Sequence, residues 1–168
     1  QSAGTTSTTF NAQLQAQREF SFTGRDLTLN ASANLVGRTM DVINTGTFTT
    51  ADFADLTVHE AFHQRGGGTT TLGSDVVSTN ASLIFAGSVT LDSTGVPTIR
   101  SGGGVNDNIS FLSTVTSNNG ESLILDAGTD GGIQVTGAVD LGTGNLEIDD
   151  AVNAFFSNQI TAGKFTQH

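Results

Sequence analysis

The sequence predicts an all-β fold, a parallel β-helix (β-solenoid), and three observations carry that expectation. Leu83-Ile84-Phe85-Ala86-Gly87-Ser88-Val89 is followed by Ile109-Ser110-Phe111-Leu112-Ser113-Thr114-Val115 and by Ile133-Gln134-Val135-Thr136-Gly137-Ala138-Val139, with apolar residues at positions one, three and seven of each copy. The copies start 26 and then 24 residues apart, at Leu83, Ile109 and Ile133, a spacing in the solenoid range with strand-type alternation inside each copy. The 21 Gly, the single Pro97 and the runs of Thr, Ser and Asn describe short strands joined by tight turns. Residues 1–168 are expected to form one β-solenoid domain of roughly seven coils, each of about 20–26 residues.

Composition narrows the rest. With 36% hydrophobic residues and 11 Phe as the only aromatics there is apolar material for a core, so disorder is not expected. The absence of Cys leaves stability to stacked backbone hydrogen bonds and buried side chains. The net charge is -10 and unevenly spread: residues 1–100 carry five Arg against eight acids, residues 101–168 only Lys164 against eight acids. Phosphate backbones are repelled by such a chain, so nucleic acid and anionic lipid are poor expected partners. No run approaches the roughly 18 apolar residues of a membrane span, and no membrane insertion is expected. With no initiator Met and no charged-then-apolar leader, the chain reads as a processed product or an excerpt.

Taken in order, Gln1 to Thr9 is polar, and Phe10 with Leu14 shows the four-residue offset of Phe85 with Val89 and of Leu72 with Val76. Gln13 to Glu19 has the makings of one helical turn. Phe20-Ser21-Phe22 and Leu27-Thr28-Leu29 read as two strands separated by a Gly24-Arg25-Asp26 turn, Asn30 to Arg38 as a loop, and Met40 to Thr45 as a strand. Leu56-Thr57-Val58 is a strand and Gly66-Gly67-Gly68 a break. Each of the three copies is followed by a second short strand, at Ile99, at Leu123 with Leu125, and at Leu146 with Ile148. The turns Ser93-Thr94-Gly95, Asn118-Asn119-Gly120 and Gly142-Thr143-Gly144 lie between. The expected core column is Leu83, Phe85, Val89, Ile109, Phe111, Val115, Leu123, Leu125, Ile133, Val135, Val139, Leu146 and Ile148.

The two ends resemble an interior junction. Phe165-Thr166-Gln167, joined to the Thr-rich head, repeats the order of Phe62-His63-Gln64 followed by Gly66-Gly67-Gly68 and Thr69-Thr70-Thr71-Leu72. The chain therefore reads as cut within a unit, so that its head could follow its own tail.

Glu121-Ser122-Leu123-Ile124-Leu125-Asp126-Ala127-Gly128-Thr129, Gly132 to Val139 and Ile160-Thr161-Ala162-Gly163-Lys164-Phe165-Thr166-Gln167 resemble the repeats of filamentous-haemagglutinin-like and autotransporter-like bacterial surface proteins, the beta strand repeat type. The resemblance covers most of Phe48 to His168 and, more weakly, Gln1 to Arg38. It implies a parallel β-helix, usually right-handed, serving as a fibrous adhesin or stalk. The Cys-free, Lys-poor, acidic composition fits secreted surface material. The family's Arg-Gly-Asp tripeptide is missing, with only Gly24-Arg25-Asp26 present. The expected role is structural, in an extracellular bacterial fibre or surface adhesin. Its expected partners are copies of itself or adjacent repeats, head to tail, and host or cell-surface glycans. Arg18, Arg25 and Arg38 in the first part and the acid-rich second part favour head-to-tail contact.

One stretch matches a catalytic pattern: His59-Glu60-Ala61-Phe62-His63 is the zincin motif, with Gly66 at the spacing of the extended form. That chemistry needs both His on one helical face to hold zinc while the Glu activates water. Thr49 with Asp52 offers a capping box for such a helix. Against it, Leu56-Thr57-Val58 runs strand-like into the motif, and Thr69 stands where the extended form wants a third His. No enzyme is expected, and a secreted zinc metalloprotease is kept as the alternative. A second alternative is a Ca²⁺-assisted glycan-binding or glycan-cleaving β-helix, for which Glu147, Asp149, Asp150, Asp126 and Asp130 are the acids. A solvated acidic face is the expectation there, with no cofactor or only loose Ca²⁺. Thr-x-Thr ladders that order water are also considered, but Thr47-Phe48-Thr49 and Thr114-Val115-Thr116 are isolated in the sequence and do not recur at the coil period.

Overall fold

The computed structural model describes residues 4–32 and 34–168; Gln1 to Ala3 of the polar lead-in, and Ala33, lie outside them. The described residues form twenty strands and no helix. All pair in parallel, and the chain is a β-solenoid of about 8 turns. Each coil contributes one strand to each of three ladders, and the ladders run the length of the molecule as three faces.

The first face stacks Gln15–Ala16, Asn34–Val36, Leu56–Val58, Val76–Ser78 and Thr98–Arg100, then the leading parts of Leu123–Val135 and Asn145–Phe156, then Lys164–Gln167. The second stacks the leading part of Phe20–Leu29, Met40–Asn44, Phe62–Arg65, Leu83–Phe85, Ile109–Phe111, and the trailing parts of Leu123–Val135 and Asn145–Phe156. The third runs from Gly4–Phe10 through the trailing part of Phe20–Leu29, Thr47–Thr50, Thr69–Leu72, Val89–Leu91, Val115–Ser117 and Val139–Asp140 to Ile160–Thr161.

Alternation places the core. The three copies superpose residue for residue, Leu83 on Ile109 on Ile133, Phe85 on Phe111 on Val135, and Val89 on Val115 on Val139. Ile99, Leu125 and Ile148 stack in the same way on the first face. Every residue of the expected column is at most 2% exposed. Phe62, Phe85 and Phe111 stack along the second face with ring centroids 5.2 and 5.0 Å apart, the last pair nearly coplanar at 9°.

Several local expectations fail, each for a physical reason. The polar lead-in, to which the sequence assigns no element, is strand from Gly4 onward, because Gly4–Phe10 pairs along the third face. Gln13 to Glu19 holds the short strand Gln15–Ala16 instead of a helical turn, its register set by Leu35 and Val36. Phe20–Leu29 is one strand that bends around a corner, pairing with Met40–Asn44 before the bend and Thr47–Thr50 after it. Asn30 to Arg38 conceals Asn34–Val36, because a polar residue stands at an inward position. Asn34 is 1% exposed, its Oδ1 accepts the Leu14 N–H at 3.0 Å, and its amide donates to the Ala31 carbonyl. The first coils lie at the short end of the expected range, with 20, 22, 20 and 23 residues between Gln15, Leu35, Thr57, Val77 and Arg100, which gives about 8 turns where roughly seven were expected.

The four-residue offset does not mark one kind of corner. Phe85 to Val89 turns from the second face to the third, whereas Phe10 to Leu14 and Leu72 to Val76 turn from the third to the first. Nor is the tail equivalent to the interior junction: Phe62-His63-Gln64 lies on the second face and Phe165-Thr166-Gln167 on the first.

Polar groups enter the core only where they are paired. Gln64 and Asn44 are both fully buried. Gln64 Nε2 donates to Asn44 Oδ1 at 2.7 Å, Gln64 Oε1 accepts the Gly87 N–H at 2.9 Å, and Asn44 Nδ2 donates to the Gly46 and Thr69 carbonyls. This network lines the corner at Gly66-Gly67-Gly68, where a side chain on Gly68 would collide with the Gly46 carbonyl and Asn44. The longest corner, 101–108, rests on the next coil through Gly103 and Gly128, both at positive φ; a Cβ on Gly128 would sit 2.4 Å from the Gly103 Cα.

Candidate functional site

The zincin segment forms no helix. Leu56–Val58 ends before His59, Glu60 and Ala61 make the corner, and Phe62–Arg65 begins the next strand. The His59 carbonyl accepts hydrogen bonds from Thr79 Oγ1 and Asn80 Nδ2 at 3.1 and 3.2 Å, which holds the corner against the following coil. His59 is exposed there, while His63 points outward from the second face. The two imidazoles therefore do not share the helical face that the zinc chemistry requires. Among the described residues no three His, Asp or Glu side chains converge closely enough to hold a metal ion.

His63 belongs to another arrangement. Arg65 Nη2 and Nε lie 2.6 and 2.9 Å from Asp41 Oδ1, one coil away, and His63 Nδ1 is 4.0 Å from the same oxygen. Burial and the neighbouring Arg65 guanidinium lower the His63 pKa against the opposing pull of Asp41, so the imidazole resists protonation.

The sequence acids separate. Asp126 receives Arg100 Nε at 2.6 Å and the Gly128 N–H at 3.0 Å, and stands in register with Asp150. Glu147 contacts His168 Nε2 at 3.1 Å, while Asp130 and Asp149 are exposed. Arg100 reaches Asp126 across 26 positions, a pairing hidden by the split in charge between the two parts of the chain. One carboxylate that sequence reasoning passed over is buried: Glu121, 8% exposed. Its Oε2 accepts from the Ser117 hydroxyl at 2.7 Å and the Asn119 N–H at 2.9 Å, and its Oε1 from the Asn119 side-chain amide at 3.0 Å. Ser117 Oγ in turn accepts the Gly120 and Glu121 N–H groups. The signal was available in Ser117-Asn118-Asn119-Gly120-Glu121, a turn whose polar side chains fold back on its own backbone.

The threonines are the largest departure from expectation. On the third face Thr9, Thr28, Thr49, Thr71, Thr90 and Thr116 stand in one unbroken register, followed by Asp140 and Thr161. Two positions earlier in the strands a second row holds Thr47, Thr69, Ser88 and Thr114. Neighbouring hydroxyls meet, Thr90 with Thr116 at 3.2 Å and Thr114 with Ser88 at 3.0 Å. The Thr-x-Thr units are thus not isolated. Coil lengths differ, so the sequence shows no fixed period, but the ladder aligns them.

Three ladders, a continuous apolar column and outward hydroxyl rows define a β-solenoid repeat protein. No protein-family model matches the chain, and no curated protein or solved structure matches it significantly.

Proposed function

We propose that this chain is a structural module of an extracellular bacterial fibre or surface adhesin, of the filamentous-haemagglutinin-like type, whose coils continue end to end into a rod. One observation carries this reading. The column is buried through the interior coils, whereas in the outermost coils several of its members are only partly covered: Phe10, Ala16 and Phe20 at one end, where Leu14 and Phe22 stay buried, and Ala154, Phe156, Ile160 and Ala162 at the other. At each end a pair of Phe rings meets edge to face, Phe10 with Phe20 at 5.9 Å and Phe156 with Phe165 at 6.1 Å. Terminal coils of a solenoid present both apolar core and unpaired strand edges, and a further coil of the same kind satisfies both.

Head-to-tail stacking predicts that scattering mass and particle length rise together with protein concentration. Ile160→Lys with Phe165→Lys at one end should return the chain to a single discrete particle. A wild type that keeps one mass from dilute to concentrated solution would sink the reading.

The threonine face supports a second reading. Its threonines stand in two parallel rows on strands about 4.8 Å apart, roughly 6.6 Å from row to row, a regular hydroxyl-and-methyl surface of the kind that could order water. Under this reading the rod holds ice or an ice-like water layer. Partition of the protein into slowly growing ice is the test, with Thr71→Lys and Thr90→Lys expected to abolish it; exclusion of the wild type from the ice would dismiss it.

A further inference from the structure

On the outer side of the second face, three successive coils shape an open cleft of about 370 Å³. Strand alternation builds it. Ile109, Ile133 and Ala154 stand in register and turn inward, so the residues on either side of each turn outward. Asn108, Gly132 and Asn153 form one outward row, and Ser110, Gln134 and Phe155 form the next. Gly132 is the floor. A Cβ there would lie 2.9 Å from Asn153 Oδ1 and 3.2 Å from Asn108 Oδ1, so two carboxamides lean over the one position without a side chain. Asn108 Oδ1 accepts the Gly132 N–H at 2.8 Å, which fixes the orientation of that amide.

Charge and exposure set this cleft apart. None of its lining residues is ionisable, on a chain of net charge -10 whose corner clefts are walled by Asp52, Asp55 and Asp75 or by Asp140. Among the described residues the side chains of Ser110, Gln134 and Asn153 have no hydrogen-bond partner. Phe155 is 61% exposed and stands beside Gln134, its partner in register. Its ring gives an apolar wall to a cleft whose other groups are amides and a hydroxyl, the combination of apolar surface and converging polar groups that ligand sites use.

We propose that this cleft binds a neutral pyranose, the terminal residue of an uncharged glycan. A pyranose has a face of C–H groups, which packs on an aromatic ring, and a rim of hydroxyls that both donate and accept. Carboxamides answer both roles at once, through a carbonyl oxygen and an NH2 group, and Gln134 and Asn153 line the same cleft as the ring. A cation finds no carboxylate in the wall. An anion finds no Arg or Lys there, on a chain that repels it. The volume is at the small end for ligand clefts and suits a single ring. None of Asp126, Asp130, Glu147, Asp149 and Asp150, the acids of the Ca²⁺-assisted alternative, lines it.

The test titrates the full chain with methyl β-D-galactopyranoside and methyl β-D-glucopyranoside, following backbone amide shifts. Glycerol serves as a polyol without a ring face, and N-acetylneuraminic acid as an anionic sugar. Saturable shifts confined to residues 108–110, 132–134 and 153–155 are expected with at least one neutral pyranoside, and none with glycerol or the anionic sugar. Phe155→Ala should weaken binding about fivefold, and Phe155→Trp should hold or tighten it. Gln134→Ala should weaken it about threefold. Phe53→Gly deletes a ring that is 73% exposed elsewhere, at a φ of 61 that glycine accepts, and should leave binding unchanged. Light scattering on the same samples reports particle length, so sugar binding and end-to-end growth are read separately. The proposal is overturned if neither pyranoside moves these amides, if glycerol or the anionic sugar moves them equally, or if Phe53→Gly is as damaging as Phe155→Ala.

Discussion

Phe85→Ala should lower the stability of the solenoid by about 3–5 kcal/mol, the largest effect expected of any single substitution in the column. The ring is fully buried, lies between Phe62 and Phe111 on the second face, and forms the closest aromatic pair, 5.0 Å, with Phe111. Truncation removes the transfer free energy of the ring and leaves a cavity, because the backbone ladders on either side hold the neighbouring coils at strand spacing and prevent collapse. Coils contact only their neighbours, so the damage should be local at first. Urea unfolding is therefore expected to show a lower midpoint together with a shallower or split transition. A single transition displaced by less than about 1 kcal/mol would mean that the column does not carry the stability assigned to it.

Glu121→Gln should remove about 1.5–3 kcal/mol at neutral pH, the range for hydrogen bonds to a charged group. Burial opposes the charged form of Glu121 most strongly. The Asn119 N–H, the Ser117 hydroxyl, its own backbone N–H and the Asn119 amide together outweigh burial and hold the carboxyl below the ordinary glutamate value. The sign follows from linkage. A carboxyl with a lowered folded pKa binds its proton more readily in the unfolded chain, so its contribution is complete above the ordinary glutamate value and is lost as pH falls through it toward the folded value. Unfolding free energies measured from neutral pH to pH 3 should show the wild-type and Glu121→Gln curves converging on the acid side. Parallel curves would contradict the assignment.

The structural reading and the cleft are independent of each other. Stacking depends on inward residues of the outermost coils, while the cleft takes its amides and ring from outward positions of the second face. Loss of one under mutation leaves the other measurable.

Much of this was legible in the residues. Strand alternation is a local property: Leu83, Phe85 and Val89 announce which side chains point inward, because successive Cβ atoms take opposite faces and the apolar ones must leave water. The absence of helix at His59 to His63 was legible for the same reason, since Leu56-Thr57-Val58 already carried the strand pattern. Polar residues at inward positions were not. Asn34, Asn44 and Gln64 have the appearance of surface residues, and only partners in neighbouring coils, such as the Leu14 N–H and the Gly87 N–H, make their burial tolerable.

What the residues alone determined is therefore the inside and outside of each strand, and with it an all-β coil. Which strands lie over which was decided by the tertiary structure. Thr57, Val77, Arg100 and Asp126 stand one above another although 20, 23 and then 26 residues separate them. Corners absorb the differences in length while parallel backbone hydrogen bonds hold the strands in register. The threonine row, the Arg100–Asp126 pair and the amide-lined cleft all arise from that register, and none of them exists in a sequence read along its own length.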